Sequence, residues 1–227
     1  IVEIIKNSNL FGINAKLGKI DWNKIQKRVW KTIDSSAKGI EEGNKEEKNV
    51  TIYKKKAEFV GDKLLKVGSE LITAKKIFIC VGTRPNIPEI KGIDKINYYT
   101  SDDIMRIKNP PKRMVIMGGG YISAELSHVF SSVGTKVTIV YRGDKLLKNE
   151  DNEISEVYTK IALKKYNLML NTNITKVSKK GKNLIITAER NGKKKNLVVD
   201  TLLLTTGRIP NSDILKVKNT GVKINKS

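Results

Sequence analysis

Met114-Val115-Ile116-Met117-Gly118-Gly119-Gly120-Tyr121-Ile122-Ser123-Ala124-Glu125 reads as a short apolar strand, a glycine turn and the opening of a helix. This is the first half of a βαβ unit of the kind that binds a dinucleotide. Gly118 lets the chain turn sharply, and Gly120 leaves room for backbone to approach a pyrophosphate. Ser123 stands where the GxGxxG pattern has its third glycine, and it is small enough for the helix to lie close to the strand. The free N–H groups of the first helical turn then face the phosphates.

The flanking residues complete the unit. Ile122, Leu126, Val129, Phe130 and Val133 recur at spacings of three and four, which marks one buried helix face, and Gly134 supplies the stop. Lys136 to Tyr141 is rich in β-branched residues, as expected of a second parallel strand. Asp151 to Tyr166 reads as an amphipathic helix with Ile154, Val157, Tyr158, Ile161 and Ala162 on its apolar face, and Leu168 to Leu170 as the third parallel strand. Residues 174–177, 184–188 and 196–199 predict a small antiparallel meander turning at Asn191-Gly192, after which Thr201 to Thr205 returns to the main sheet. The expected class is α/β: a Rossmann-like, three-layer nucleotide-binding fold with a parallel sheet plus an antiparallel meander.

Before this unit, Asp21 can cap a helix from Trp22 to about Glu42 with Ile25, Val29, Ile33 and Ile40 on one face. Residues 50–53, 57–60 and 63–67 read as short strands with a turn at Gly61-Asp62, and Ile77 to Val81 as a buried parallel strand. Asn109-Pro110-Pro111 breaks regular structure, which predicts a first domain over 1–108, a nucleotide-binding domain over 109–211 and a return segment over 212–227.

The end of the second parallel strand bears on the cofactor. An acidic residue there suits the ribose of NAD, and a basic one the 2′-phosphate of NADP. The sequence runs Tyr141-Arg142-Gly143-Asp144-Lys145-Leu146-Leu147-Lys148, with no carboxylate at the strand tip. Arg142 offers a planar fork to phosphate and Lys148 a second positive charge, which points to NADPH. Asp144 is near enough to keep NADH open.

Four segments together resemble the flavin-dependent pyridine nucleotide-disulfide oxidoreductases, the group of dihydrolipoamide dehydrogenase, glutathione reductase, mercuric reductase and mycothione reductase. Besides the glycine turn they are Ile77-Phe78-Ile79-Cys80-Val81-Gly82-Thr83-Arg84-Pro85 with Pro88 and Gly92, Thr100-Ser101-Asp102, and Thr205-Thr206-Gly207-Arg208-Ile209-Pro210-Asn211. The likeness spans nearly the whole chain and is strongest towards mycothione reductases and dihydrolipoamide-dehydrogenase-like proteins. It implies FAD and NAD(P)H as cofactors. To Gly118, Gly120, Ser123, Arg142 and Lys148, read above for NAD(P), it adds Tyr121, Ile122, Glu125 and Gly207. Tyr121 would be the aromatic residue over the flavin, and Glu125 the helix acid near nicotinamide and flavin. For FAD it implies Lys56 and Ala57 beside the adenine, with Val81, Gly82 and Arg208. Where the family has a glycine before the Lys56-Ala57 pair, this chain has Lys55.

The same resemblance implies what these residues do not include. Family members open with an FAD-binding GxGxxG and a CxxxxC pair that cycles between dithiol and disulfide, and they close with a dimerisation domain carrying a catalytic histidine. The expectation is a central fragment of a homodimeric enzyme that passes hydride from NAD(P)H to FAD and electrons on to a small-molecule or protein disulfide, with no catalytic residue proper inside the fragment. A two-nucleotide flavoprotein without a redox disulfide, as in NADH oxidases or ferredoxin reductases, and an inactive nucleotide-binding remnant are the alternatives. Cys80, the one cysteine, is expected as a buried inert thiol, and His128, the one histidine, as a helix-surface or packing residue. No metal-ligand set is expected.

The formal charge is +21, from 44 basic against 23 acidic residues, which raises the question of nucleic acid. Only seven of the basic residues are arginine and aromatics are 6%, so the forks and stacking platforms of sequence-reading proteins are sparse. The charge reads as solvated lysine faces without a specific nucleic-acid partner. No apolar run has membrane-spanning length, and a cytoplasmic, non-membrane protein is expected.

Overall fold

The computed structural model describes residues 1–225. Its helices are α1 (Val2–Lys6), α2 (Trp22–Glu46), α3 (Tyr121–Ser132) and α4 (Asn152–Lys165). Its strands are β1 (Ala57–Gly61), β2 (Leu64–Val67), β3 (Glu70–Thr73), β4 (Thr83–Pro85), β5 (Arg113–Met117), β6 (Lys136–Val140), β7 (Asn167–Met169), β8 (Asn173–Lys180), β9 (Asn183–Arg190), β10 (Lys193–Val199), β11 (Thr201–Leu204) and β12 (Arg208–Pro210). The chain divides into two compact units, one of residues 1–27 with 85–207, the other of residues 28–84 with 208 onward.

The first unit is built around a parallel sheet in the order β11-β5-β6-β7. Side chains alternate across it with the period of two that a strand imposes. Met114, Ile116, Val137, Ile139 and Leu203 join Leu126, Phe130 and Ala162 of the helices in one core. Val115, Val140, Leu202 and Leu204 join Ile174, Val177, Leu184 and Ile186 of the antiparallel sheet β10-β9-β8 in another. A parallel sheet covered on both faces requires this continuous apolar run, and Met114 to Ile116 and Leu202 to Leu203 are fully buried. The hairpin joining β9 to β10 turns on Asn191 and Gly192, both with positive φ (50° and 76°), as a two-residue turn matched to strand twist needs. At the end of α3, Thr135 N–H bonds the Phe130 carbonyl (3.0 Å) and Gly134 N–H that of Ser131 (3.2 Å), a Schellman closure around Gly134 at φ +97°.

The expected boundary at residue 108/109 is not where the units part. Residues 86–108 are tied into the first unit: Tyr99 N–H bonds Leu202 O and Leu204 N–H bonds Tyr99 O (2.9 and 2.8 Å), which continues the sheet beyond β11. Val177 N–H bonds Lys91 O (2.9 Å), and Ile104 is wholly buried. The start of α2 belongs here too. Asp21 caps it through Lys24 N–H (2.9 Å), Trp22 Nε1–H bonds Ile107 O (2.9 Å), and the Trp22 ring lies 5.8 Å from that of Phe130.

The second unit holds the antiparallel sheet β1-β2-β3, the pair β4 and β12, and the rest of α2. Phe59, Leu215 and Val217 form its small core, with Ile77 packed against them. Three expectations fail in it. Residues 50–53 form no strand. Ile33 and Ile40 are exposed, because no described element covers that length of α2. Residues 77–81 are neither a strand nor buried: Phe78 is 86% exposed and Cys80 is exposed. A parallel strand exists only beside a neighbour that takes up its backbone bonds, and among the described residues no strand pairs with this run.

Candidate dinucleotide-binding site

The site begins where β5 ends. Gly118 N–H bonds Val140 O (3.0 Å), which holds the turn against β6. Gly118 has φ +143°, and a methyl built on it would fall inside contact distance of the Thr205 carbonyl and hydroxyl. A side chain is therefore barred twice, by conformation and by space. Thr205 is fixed in turn by two bonds to the Met117 carbonyl, from its N–H and its hydroxyl, both 2.9 Å. At Gly119 a methyl would strike the Tyr141 ring, as would one at Gly143. Tyr141 is thus wedged between two glycines.

Gly120 is different. It takes ordinary extended backbone angles (φ −88°, ψ −174°), is exposed, and has nothing within 4 Å of where a Cβ would point. It stands at the N-cap of α3 without a side-chain cap, so the helix presents its first N–H groups beside open space. Backbone donors, the positive end of a helix dipole and clearance for a ligand coincide here. Ser123 is 1% exposed, which lets α3 lie close against the sheet, and its buried hydroxyl has no hydrogen-bond partner among the described residues. Ile122 is half-buried, whereas Tyr121 (59% exposed) and Glu125 stand open on α3.

The loop after β6 flanks the turn. Leu147, at φ +54°, donates its N–H to the Gly119 carbonyl (2.7 Å), and Asn171 N–H bonds Gly143 O (2.9 Å). Leu146 is buried, its N–H bonded to Thr159 Oγ1 (2.9 Å) and its carbonyl to the Ser155 hydroxyl. Arg142, Asp144 and Lys148 are all exposed along this loop. Gly207, at φ +100° and exposed, is held through its carbonyl by Asn86 N–H (2.9 Å), beside Thr206 Oγ1–H to Asn86 O (2.7 Å). The residues named from sequence for NAD(P) thus lie on the turn, α3, the β6 loop and the end of β11. Thr205, Tyr141 and Leu147, which shape the turn, were not among them. The paired glycines Gly119 and Gly143 were the one sequence sign of a bulky ring between them.

The residues expected at FAD fall in the second unit. Arg208 bonds Thr83 through Nε–H to its hydroxyl and through its terminal N–H to its carbonyl, both 2.7 Å. Asn211 bonds the carbonyls of Val81 and Gly82 (2.9 and 3.0 Å). Val81, Gly82 and Arg208 are therefore brought together, while Lys56 and Ala57 stand at the start of the β1-β2-β3 sheet. Beside them, Arg84 clamps Asp213 with two bonds (2.8 and 2.6 Å) and holds its carboxyl down at about 2. Among the described residues one glycine turn feeds a helix N-terminus in this manner, so the residues present fit one diphosphate. His128 is on the exposed face of α3, its Nδ1 3.3 Å from Lys165 Nζ, as expected of a surface residue.

Strand, glycine turn, helix and parallel strand in this arrangement define a dinucleotide-binding α/β domain. The profile of the family described as Pyridine nucleotide-disulphide oxidoreductase matches residues 5–227. The chain is similar to mycothione reductase of Mycobacterium tuberculosis (strain CDC 1551 / Oshkosh), 33% identical over 230 residues that cover 99% of this chain and 50% of that protein. It is also similar to dihydrolipoyl dehydrogenase of Bacillus subtilis (strain 168), 30% identical over 98% of this chain and 48% of that protein. Among solved structures, the HOCl-induced flavoprotein disulfide reductase RclA from Escherichia coli superposes with a TM-score of 0.81 and 26% identity, over 91% of this chain and 47% of its own. The chain belongs to the pyridine nucleotide-disulphide oxidoreductase family and spans about half the length of these relatives.

Proposed function

We propose that this chain is the pyridine-nucleotide-binding part of a flavin-dependent disulfide reductase, with NADPH as the preferred nucleotide. The observation that carries the reading is Gly120, an uncapped helix N-terminus that opens onto free space while its neighbours Gly118 and Gly119 are packed shut. When bound, NADPH supplies a hydride and FAD accepts it. The residues of this chain have binding and orienting work. The first N–H groups of α3 hold the diphosphate, Arg142 and Lys148 take the 2′-phosphate, and Gly207 offers backbone to the nicotinamide side. Tyr121 and Glu125, exposed one turn apart on α3, face the nicotinamide and flavin. Val81, Gly82 and Arg208, with Lys56 and Ala57, contribute to FAD. Cys80 has no second cysteine to pair with, so the reading assigns the redox dithiol, the disulfide substrate site and the homodimer contacts of the family to residues outside this sequence.

Titration calorimetry of the full chain with NADPH and NADH tests the assignment. NADPH is expected to bind at least tenfold more tightly, with Arg142→Ala erasing the difference and Gly120→Ala weakening both nucleotides. Equal binding of the two, unchanged by Arg142→Ala, would overturn the NADPH preference and leave the nucleotide site standing. Binding unaffected by Gly120→Ala would remove the site itself.

A further inference from the structure

The helix α4 is turned partly away from its expected apolar face: Tyr158 and Ala162 stay packed on the core, and the other three residues of that face do not. It buries Ser155, Thr159 and Ala162 (0, 8 and 0% exposed), while Ile154, Val157 and Ile161 are 56, 56 and 53% exposed. Spacings of three and four place these three on one stripe. The reason lies in the hydroxyls. Ser155 donates to the Leu146 carbonyl and Thr159 accepts from the Leu146 N–H, so rotating the isoleucines inward would strip both bonds from the loop that flanks the glycine turn. Scattered exposed aliphatics need no explanation, but a continuous stripe on one helix marks a contact surface.

The charges on α4 indicate what covers it. Glu150, Asp151, Glu153 and Glu156 lie at and before its first half, and Lys160, Lys164 and Lys165 in its second. Lys165 is bonded to Glu3 (3.3 Å), which leaves Glu153, Glu156, Lys160 and Lys164, all exposed, along the stripe. Such a surface is complementary to itself when reversed. A second copy related by a two-fold axis near Tyr158 sets Glu156 against Lys160 and Glu153 against Lys164 in both directions, with Ile154, Val157 and Ile161 between and the helix dipoles opposed. A parallel pairing would set acid on acid and base on base.

We infer that the exposed face of α4 is a self-association surface, on which the α4 of a second copy of this chain packs antiparallel. A 14-residue helix is about 21 Å long, and one such pair buries less than the roughly 1,200 Å² of a standard stable interface. The association is therefore weak, reversible and visible only at high concentration.

Sedimentation equilibrium of the full chain from about 5 to 500 μM, in reducing buffer so that exposed Cys80 cannot link chains, reads it directly. The mass is expected to rise from 25.5 kDa towards twice that value. Val157→Glu with Ile161→Glu should hold it at the monomer while leaving the circular dichroism melt unchanged. Glu153→Lys with Glu156→Lys should also be monomeric alone, and so should Lys160→Glu with Lys164→Glu. An equimolar mixture of these two variants should pair at least as tightly as the parent chain. A monomer at every concentration overturns the inference, as does a dimer that survives Val157→Glu with Ile161→Glu. Failure of the charge-reversed mixture to pair overturns the pairing of opposite charges along the stripe.

Discussion

At the scale of the residue, three neighbouring positions separate stability from binding. Gly118→Ala forces a side chain into the Thr205 oxygens at a φ that L residues rarely adopt, and is expected to destabilise the chain by about 2–4 kcal/mol, read as a lower urea midpoint. Gly120→Ala meets no protein atom within 4 Å and keeps its backbone angles, so its melting temperature should match the parent while its nucleotide affinity falls at least tenfold. A melt that shifts as far as that of Gly118→Ala would show that Gly120 is structural. Ser123 carries a buried hydroxyl with no partner among the described residues, a cost of about 1–3 kcal/mol. Ser123→Ala should therefore raise the denaturation midpoint without loss of nucleotide, and a fall would mean that the hydroxyl has a partner in solution.

At the scale of the element, the outer end of the parallel sheet depends on one ion pair. Arg113 N–H and guanidinium both bond the Asp200 carboxylate (2.8 and 2.6 Å), and Asp200 N–H returns a bond to the Arg113 carbonyl (3.1 Å). The guanidinium beside it holds the Asp200 carboxyl below its ordinary value, and the pairing correspondingly raises that of Arg113. Because the folded value is the lower one, this stabilisation is complete above the unfolded value near 4 and is lost as pH falls through the folded value. Both side chains are partly exposed, so Asp200→Asn should cost only about 1 kcal/mol at pH 7. It should also flatten the acid limb of stability below pH 4, measured by urea titration across pH 2 to 7, and an unchanged acid limb would show that other carboxylates govern it. Elements differ in how far their sequence discloses them. The turn at Gly118, the strands β5, β6 and β11 of the main sheet and the Asn191-Gly192 hairpin are dictated by local backbone needs and were legible. The orientation of α4 was not, because two hydroxyls bonded to Leu146 outweigh its apolar periodicity. Residues 77–81 have the composition of a strand, but a strand depends on its neighbour as much as on itself. Thr205 and Tyr141 shape the site through contacts with Gly118 and Gly119, which lie far away from them in sequence.

At the scale of the whole molecule, the charge is the dominant property. A formal +21 on 227 residues attracts any polyanion, and the lysines responsible are spread over exposed positions such as Lys176, Lys179, Lys180 and Lys193 to Lys195 of the meander. Such contacts reach phosphates and not base edges, so their affinity comes from counterion release and carries no sequence information. If about six phosphates are engaged, binding to duplex DNA should fall roughly a thousandfold between 50 and 200 mM salt. Fluorescence anisotropy with two unrelated duplexes of equal length is the measurement. Equal affinities that collapse together with salt are the expected result. Binding that resists salt, or that prefers one duplex, would require arginine forks or stacked aromatics that this lysine-rich, aromatic-poor chain supplies in few places, and would make nucleic acid a specific partner.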